Sequence, residues 1–113
     1  METRFFGNGI VEIIDGEILV KEADDVFSLL FANNCSTILL RRENFINDFF
    51  NLSTGIAGEI LQKFSNYNKR MAIIGNFDDI KSKPLKDFIY ESNRTKQIIF
   101  VKTLEEALKI FKE

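Results

Sequence analysis

The sequence contains no histidine and no tryptophan, and it has only one cysteine and one proline among its 113 residues. Histidine is the commonest general base near neutral pH and the commonest metal ligand, so its absence argues against both kinds of site. The single thiol, Cys35, cannot form a disulfide within the chain or hold an iron–sulfur cluster by itself. We therefore expect no metal ion and no cofactor, and an enzymatic role is the less favoured expectation.

Long runs of one kind of residue are missing as well. The 15 basic and 17 acidic residues are interspersed, so the net charge is −2 and no basic patch is available for nucleic acid or for an anionic membrane. No apolar stretch reaches the about 18 residues of a membrane-spanning helix, and the N-terminus lacks the layout of a signal peptide. These absences predict a cytoplasmic protein that binds neither nucleic acid nor membrane.

The chain does contain 45% apolar residues, enough for one domain, residues 1–113, with one core. Asp15-Gly16 lies between Ile10–Ile14 and Glu17–Val20, which predicts an antiparallel hairpin at the start of the fold. Three later runs are short, β-branched and continuously apolar, which is typical of parallel strands buried on both faces. They are Ser36–Leu40, Met71–Gly75 and Gln97–Val101.

Amphipathic runs between and after these strands predict four helices. The first two extend from Glu22 to Asn33 and from Gly55 to Phe64. The third begins after Ser82 with proline in its first turn, and the fourth begins at a capping box that starts with Thr103. The resulting order, β-β-α-β-α-β-α-β-α, predicts an α/β domain with a mixed, mostly parallel sheet flanked by helices.

This element order resembles that of the STAS domains, the fold of the bacterial anti-sigma-factor antagonists. In that family, an Asp-Ser-Ser/Thr-Gly motif begins the second helix, and a partner kinase phosphorylates its first serine. The stretch "LSTGIAGEIL" resembles the motif, with Leu52 in the place of the aspartate. Alignment on Gly55 assigns the acceptor role to Ser53, whereas alignment on "GEIL" assigns it to Thr54, so both residues stay candidates.

A second resemblance extends over nearly the whole chain. The segments "DFFNLSTGIAGEILQKF", "AIIGNF" and "DFIYESNR" are similar, in sequence and spacing, to a bacterial family of domains of unknown function, number forty-one-eighty. This resemblance implies a stand-alone bacterial domain with STAS-like topology. It implies no particular activity.

The most specific functional segment is the one that begins the second helix. Ser53, Thr54, Gly55 and Gly58 combine hydroxyl groups and small residues at a helix N-terminus, where backbone N–H groups and the helix dipole favour an anion. The simpler interpretation is a helix cap made by Ser53 or Thr54, with Gly58 allowing close packing against a strand. We favour the cap and keep phosphate binding or phosphorylation as the functional hypothesis.

A second candidate site follows the predicted central strand. Asn76, Asp78 and Asp79 are expected at the carboxyl edge of the sheet, where open α/β folds bind ligands. Two carboxylates there could hold magnesium or act as an acid–base pair. The simpler interpretation is a solvated loop, because nothing else in the sequence completes a metal site.

A third set of residues suggests an interaction surface. The phenylalanine pairs at Phe5-Phe6 and Phe49-Phe50 lie outside the helical stripes and could form a flat aromatic patch, most simply for a symmetric dimer. Near the end of the third helix, which we expect at Asn93, polar side chains could form a recognition surface or only terminate the helix. The residues of this predicted surface are Phe49, Phe50, Ile56, Glu91, Asn93 and Arg94.

Two functions from different classes follow from these observations. The favoured one is a non-enzymatic regulatory or protein-interaction module, switched by phosphorylation or anion binding at the start of the second helix. The alternative is a small ligand-binding protein or enzyme that uses Asp78 and Asp79 at the carboxyl edge of the sheet. The absence of a nucleophile–base pair and of a complete phosphate loop makes the alternative weaker.

Overall fold

The computed structural model describes residues 2–112. Within that range, five strands form one sheet, and four α-helices and three short 3-10 turns connect or follow them. The strands are β1 (Glu2–Phe5), β2 (Ile10–Ile14), β3 (Thr37–Arg41), β4 (Arg70–Ile74) and β5 (Ile98–Val101). The helices are α1 (Ala23–Ala32), α2 (Ile56–Tyr67), α3 (Lys83–Thr95) and α4 (Leu104–Phe111).

The strands are arranged in the order β1-β2-β3-β4-β5. Strand β1 is antiparallel to β2, and the remaining neighbours are parallel. Because consecutive parallel strands are neighbours and crossovers are right-handed, the connecting helices α1, α2 and α3 pack on the same face of the sheet. Helix α4 packs on the other. The predicted fold class, a single α/β domain with a mixed and mostly parallel sheet, is confirmed.

Alternating side chains of the strands build two cores. Ile38 and Leu40 of β3 face the three-helix side, where Phe27 and Phe64 meet edge to face with ring centroids 5.2 Å apart. Leu39 lies between them in sequence and faces α4 instead. The continuous apolar runs predicted for the central strands therefore reflect burial on both faces of the sheet.

The predicted hairpin at Asp15-Gly16 is wrong. The antiparallel partner of β2 is β1, which precedes it, and the turn between them uses Gly7, Asn8 and Gly9 in the left-handed region, with φ values of +84°, +53° and +75°. The segment after Gly16 is not a strand of the sheet. It makes a single parallel bridge, between Val20 and Phe45.

Asn44 explains why this segment leaves the sheet. Its buried side chain accepts a hydrogen bond from the N–H of Arg41 (2.8 Å) and donates to the carbonyl groups of Asp15 (2.7 Å) and Glu17 (2.9 Å). Its own carbonyl accepts from the N–H groups of Leu19 and Val20. The backbone groups that would have paired in a hairpin are thus satisfied by the loop that follows β3.

The predicted helix ends are partly correct. The Ser82 hydroxyl caps α3 by accepting from the N–H of Leu85, and Thr103 caps α4 in the same way. Helix α3 does not end at Asn93 but continues to Thr95. No helix between residues 2 and 112 combines the length and the apolar character needed to cross a bilayer.

The Asn44 contacts yield a stability prediction. We expect Asn44→Ala to lower the free energy of unfolding by about 2 to 3 kcal/mol, because it leaves a buried N–H group and two carbonyl groups without their partner. Denaturant unfolding would measure the change. The matched control is Asn47→Ala, since Asn47 is exposed on the same loop. Equal effects of the two substitutions would contradict the role assigned to Asn44.

Candidate functional site

The carboxyl edge of the sheet holds most of the residues singled out from the sequence. After β3, the chain passes through three 3-10 turns, Arg42–Asn44, Asn47–Phe50 and Leu52–Thr54, before α2 begins at Ile56. Each turn is closed by its own short-range backbone hydrogen bond. Phe45 and Phe49 anchor the turns, because both side chains are buried in the core on the three-helix side of the sheet. The inner side of the loop is therefore fixed by the core, and its outer side is exposed to solvent.

Ser53 and Thr54 lie in the last of these turns and do not cap α2. The N-cap is Gly55, in the left-handed conformation at φ +82°, and it offers no side chain to the helix. The prediction of a cap made by Ser53 or Thr54 is wrong, because the 3-10 turn directs these side chains back toward the loop. Thr54 Oγ1 does come within 3.5 Å of the N–H of Ile56, a weak contact at best.

The two hydroxyl groups differ in their surroundings. Thr54 Oγ1 lies 2.7 Å from the carbonyl oxygen of Asp48 and 2.9 Å from that of Asn51, so its proton is held within the loop. Ser53 Oγ donates to the exposed side-chain oxygen of Asn51 at 2.7 Å. Both residues are exposed, but the Ser53 hydroxyl makes one hydrogen bond, to a side chain, whereas that of Thr54 contacts two backbone carbonyl groups of the loop.

The space in front of the α2 N-terminus is a shallow groove of about 300 Å³ that also borders the start of α1. Three carboxylates line it, those of Glu22, Asp24 and Glu59. The positive ends of two helix dipoles meet here, but these side chains already supply negative charge to them. Lys63 lies 2.6 Å from Asp24 and 4.0 Å from Glu59, so one positive charge offsets part of the three negative charges. The remaining negative charge opposes the binding of a phosphate or another small anion at this point.

Gly58, the second glycine of the motif, is exposed, and a Cβ atom added to it would meet nothing within 4 Å. Close packing of α2 against the sheet depends on Ala57, which is buried. The prediction that Gly58 allows close packing against a strand is therefore wrong.

A second groove, of about 380 Å³, is lined by Ser53, which does not line the first. Phe50 and Leu52 form its apolar wall, and Ser82 and Pro84 at the start of α3 close it. A group attached to Ser53 would thus lie between the loop and the first turn of α3.

The structure adds Arg42, which sequence reasoning missed. The Arg42 guanidinium donates to Asp79 through both of its terminal nitrogens, at 2.8 and 3.3 Å, and to the carbonyl of Asn76 at 2.6 Å. It also lies over the rings of Phe50 and Phe77, 5.3 and 5.4 Å from their centroids. The only sequence signal was a charged residue immediately after a buried strand.

Gly75 makes this arrangement possible. A Cβ atom at this position would lie 2.9 Å from the Cβ of Arg42, closer than real Cβ contacts allow. The end of β4 can approach the start of the 3-10 turn only because residue 75 has no side chain. A neighbouring groove of about 430 Å³ is lined by Arg42, Phe45, Phe50 and Asn76.

The carboxylates of the predicted ligand edge each face a cation of the chain. Asp79 is held by Arg42, and Asp78 lies 3.2 Å from Lys102. The hydrogen bonds from Arg42 hold the pKa of the Asp79 carboxyl below its usual value. Asn76 accepts from the N–H of Asp78 and so shapes the turn. Within residues 2–112, no three side chains of the metal-binding types converge on one point.

The residues of the predicted interaction surface separate. Phe49 is buried in the core, and the half-buried Phe50 packs on it with ring centroids 4.9 Å apart and an interplanar angle of 77°, so the two rings do not form a flat patch. Ile56 is half-buried beside the first groove. Glu91 and Arg94 form an ion pair on α3, 2.8 Å apart and distant in sequence from the loop.

Asn93 has a structural role that its sequence position did not reveal. Its side-chain oxygen accepts from the N–H of Phe100 at 2.7 Å, and its side-chain nitrogen donates to the carbonyl of Phe100 at 3.2 Å. Phe100 belongs to β5, the outer strand on that side of the sheet. Asn93 therefore occupies the backbone groups that a further strand would use.

Comparison with known proteins identifies one family. The family model described as "Domain of unknown function (DUF4180)" matches residues 7–110 of the chain. No curated protein and no solved structure matches the chain.

The Arg42–Asp79 pair yields a titration prediction. Because the folded-state pKa of Asp79 is lowered, the pair is present above the usual aspartate pKa and is lost as the pH falls through the lowered value. We expect Arg42→Ala to raise the Asp79 pKa toward its usual range, measured by carbon NMR of the side-chain carboxyl. Arg94→Ala, which breaks an ion pair elsewhere, is the control and should leave this titration unchanged. An Asp79 titration that does not move in Arg42→Ala would contradict the assignment.

The glycines yield a second prediction. Gly58→Ala should raise the free energy of unfolding by about 0.5 to 1 kcal/mol, because alanine favours the helix and its Cβ meets open space. Gly75→Ala should lower it by about 1 to 3 kcal/mol, because its Cβ collides with Arg42. Thermal and denaturant unfolding of both variants would test this, and a destabilised Gly58→Ala would restore the packing role.

Proposed function

The chain belongs to the DUF4180 family, and we propose that it is a cytoplasmic, non-enzymatic regulatory module with STAS-like topology. In this proposal, the module docks a protein partner through the surface around Ser53, and phosphorylation of Ser53 controls the docking. The docking surface comprises the exposed part of the loop, residues 51–55, together with the start of α2.

The topology supports the STAS-like part of the proposal. The element order agrees with that of the STAS domains, and the three crossover helices pack on one face while α4 packs on the other. The loop after β3, with its three 3-10 turns, leads to the start of α2, where the STAS motif would lie. The aspartate of that motif is replaced by Leu52, whose partly buried side chain packs against the core.

The observation that carries the proposal is the difference between the two hydroxyl groups. Phosphorylation of Thr54 would remove the donor that serves the carbonyls of Asp48 and Asn51 inside the loop. Phosphorylation of Ser53 would break one exposed contact to Asn51 and leave the turn closed. A partner kinase could therefore modify Ser53 on the folded protein, and we assign the acceptor role to Ser53.

A phosphate on Ser53 would change the charge of the docking surface. It would add nearly two negative charges at the second groove, which Ser53 lines. The neighbouring residue Thr54 lines the first groove, which already carries Glu22, Asp24 and Glu59. A partner that docks on the unmodified surface through apolar contacts with Leu52 or Ile56 would then meet strong negative charge. We expect phosphorylation to weaken such docking.

The alternative function, ligand binding or catalysis at the carboxyl edge, has less support. The 430 Å³ groove offers a place for a small molecule. However, Asp78 and Asp79, the residues on which the alternative depends, face Lys102 and Arg42. A metal ion or a substrate proton would have to compete with these cations.

The first experiment examines modification. The protein is recovered from its native host under several growth conditions, and its peptides are analysed by mass spectrometry. We expect a phosphate on Ser53 that disappears in Ser53→Ala and persists in Thr54→Ala. Unmodified peptide under every condition would contradict the switch, and a phosphate on Thr54 alone would contradict the assignment of the acceptor.

A second measurement examines docking. Proteins captured from the host lysate by wild-type protein are compared with those captured by Ser53→Asp. The control is Ser28→Asp, which adds the same charge on the exposed side of α1. We expect at least one specific partner that Ser53→Asp loses and Ser28→Asp retains. If both variants capture the same proteins as the wild type, the surface around Ser53 is not the docking site.

A further inference from the structure

The two outer strands of the sheet, β1 and β5, differ in whether a side chain bonds the backbone groups along their outer edge. On the β5 side, the Asn93 side chain engages the backbone N–H and carbonyl of Phe100. On the β1 side, within the described residues, no side chain makes an equivalent contact with the backbone of β1. An open edge presents backbone donors and acceptors to any strand that can align with it.

The register shows which backbone groups of β1 point outward. The N–H of Phe6 bonds the carbonyl of Ile10 at 3.0 Å, so the next hydrogen-bonded pair toward the N-terminus is Arg4 with Glu12. The N–H and carbonyl groups of Thr3 and Phe5 consequently face away from β2. The outer edge of β1 therefore offers two donors and two acceptors in the alternate spacing of an antiparallel ladder.

We propose that two copies of the chain associate through their β1 strands. The strands pair antiparallel about a two-fold axis, with Thr3 of one copy opposite Thr3 of the other, so that the outward N–H and carbonyl groups of the two Thr3 residues bond each other. Two five-stranded sheets then become one continuous sheet of ten strands. This proposal concerns an edge of the molecule other than the surface around Ser53 and does not depend on the proposed function.

Charge complementarity favours both a second copy of the chain as the partner of β1 and this register of the two strands. Glu2 and Arg4 point to the same face of the sheet, the face that carries α4. With Thr3 opposite Thr3, each Glu2 lies directly across from Arg4 of the other copy, which makes two symmetric ion pairs. Moving the register by one hydrogen-bonded step in one direction would instead put Arg4 opposite Arg4. The short sequence Glu2-Thr3-Arg4 is thus complementary to itself.

Two further observations favour this arrangement. Arg4 already lies 3.6 Å from Glu12, whose side chain is buried and is also bound by Arg41 at 2.8 Å. Because Arg41 already binds this carboxylate closely, the Arg4 guanidinium is free to pair with Glu2 of the second copy as well. Phe5 is 66% exposed on the opposite face, where it would lie diagonally across from Thr3 of the second copy.

The first experiment measures association by analytical ultracentrifugation over a wide concentration range. We expect the wild-type mass to rise toward twice that of the monomer, with a loss of this rise in Thr3→Pro. Proline removes an N–H that points outward, so the pairing of β1 with β2 is retained, and circular dichroism would verify the fold. The control Thr3→Val keeps the N–H and should associate like the wild type. A wild-type monomer at all concentrations, or a dimer that Thr3→Pro leaves intact, would overturn the proposal.

The second experiment examines the register by oxidation of single-cysteine replacements. In Thr3→Cys, the two introduced residues are directly opposite, at the Cα separation of about 5.5 Å that a disulfide accepts. In Phe5→Cys, they are displaced by four residues along the strands, about 14 Å. We expect a disulfide-linked dimer for Thr3→Cys only, with the native Cys35 buried in both variants. Equal cross-linking of the two, or preferential cross-linking of Phe5→Cys, would overturn the register.

Discussion

The buried amide of Asn44 is the contact on which the carboxyl edge of this sheet depends. It joins the end of β3 to the segment after β2, and its backbone carbonyl holds that segment through Leu19 and Val20. Phe45 and Phe49 then enter the core, and the loop that continues to α2 begins at the carboxyl end of β3. The positions of Arg42 and Ser53 follow from this one arrangement, because both lie on the loop that Asn44 fixes.

The order of the strands shapes what this edge can offer. In doubly wound folds, a ligand crevice opens where the strand order reverses and helices on opposite faces diverge. Here, the strands follow in sequence, and the three crossover helices share a face, so the sheet has no such reversal. The edge instead carries shallow grooves whose charges face one another, as in the pairs Arg42–Asp79 and Asp78–Lys102. This geometry is the reason why the proposed function is the docking of a protein partner and not the enclosure of a substrate.

Much of the fold was predictable because its signals are local. The buried strands β3, β4 and β5 stand out as continuous apolar runs, and the caps Ser82 and Thr103 mark their helices by chemistry within one turn. The hairpin was misplaced because Asp15-Gly16 carries a genuine turn signal, while its backbone partners are provided by Asn44, 27 to 29 residues away. The candidate site was predictable as a segment, but Arg42 was not, since its partner Asp79 lies 37 residues further along the chain.

The sequence by itself determined the element order from α1 onward, the mostly parallel sheet and the location of the segment that begins α2, because periodicity and capping are properties of neighbouring residues. Only the tertiary structure decided that Gly55 and not a hydroxyl residue caps this helix, and that the Ser53 hydroxyl bonds a side chain while that of Thr54 contacts backbone carbonyl groups of the loop. It also decided that Asn93 protects one edge of the sheet. These features depend on which distant backbone groups come within hydrogen-bonding distance, and such proximity exists only once the sheet has brought separated segments together.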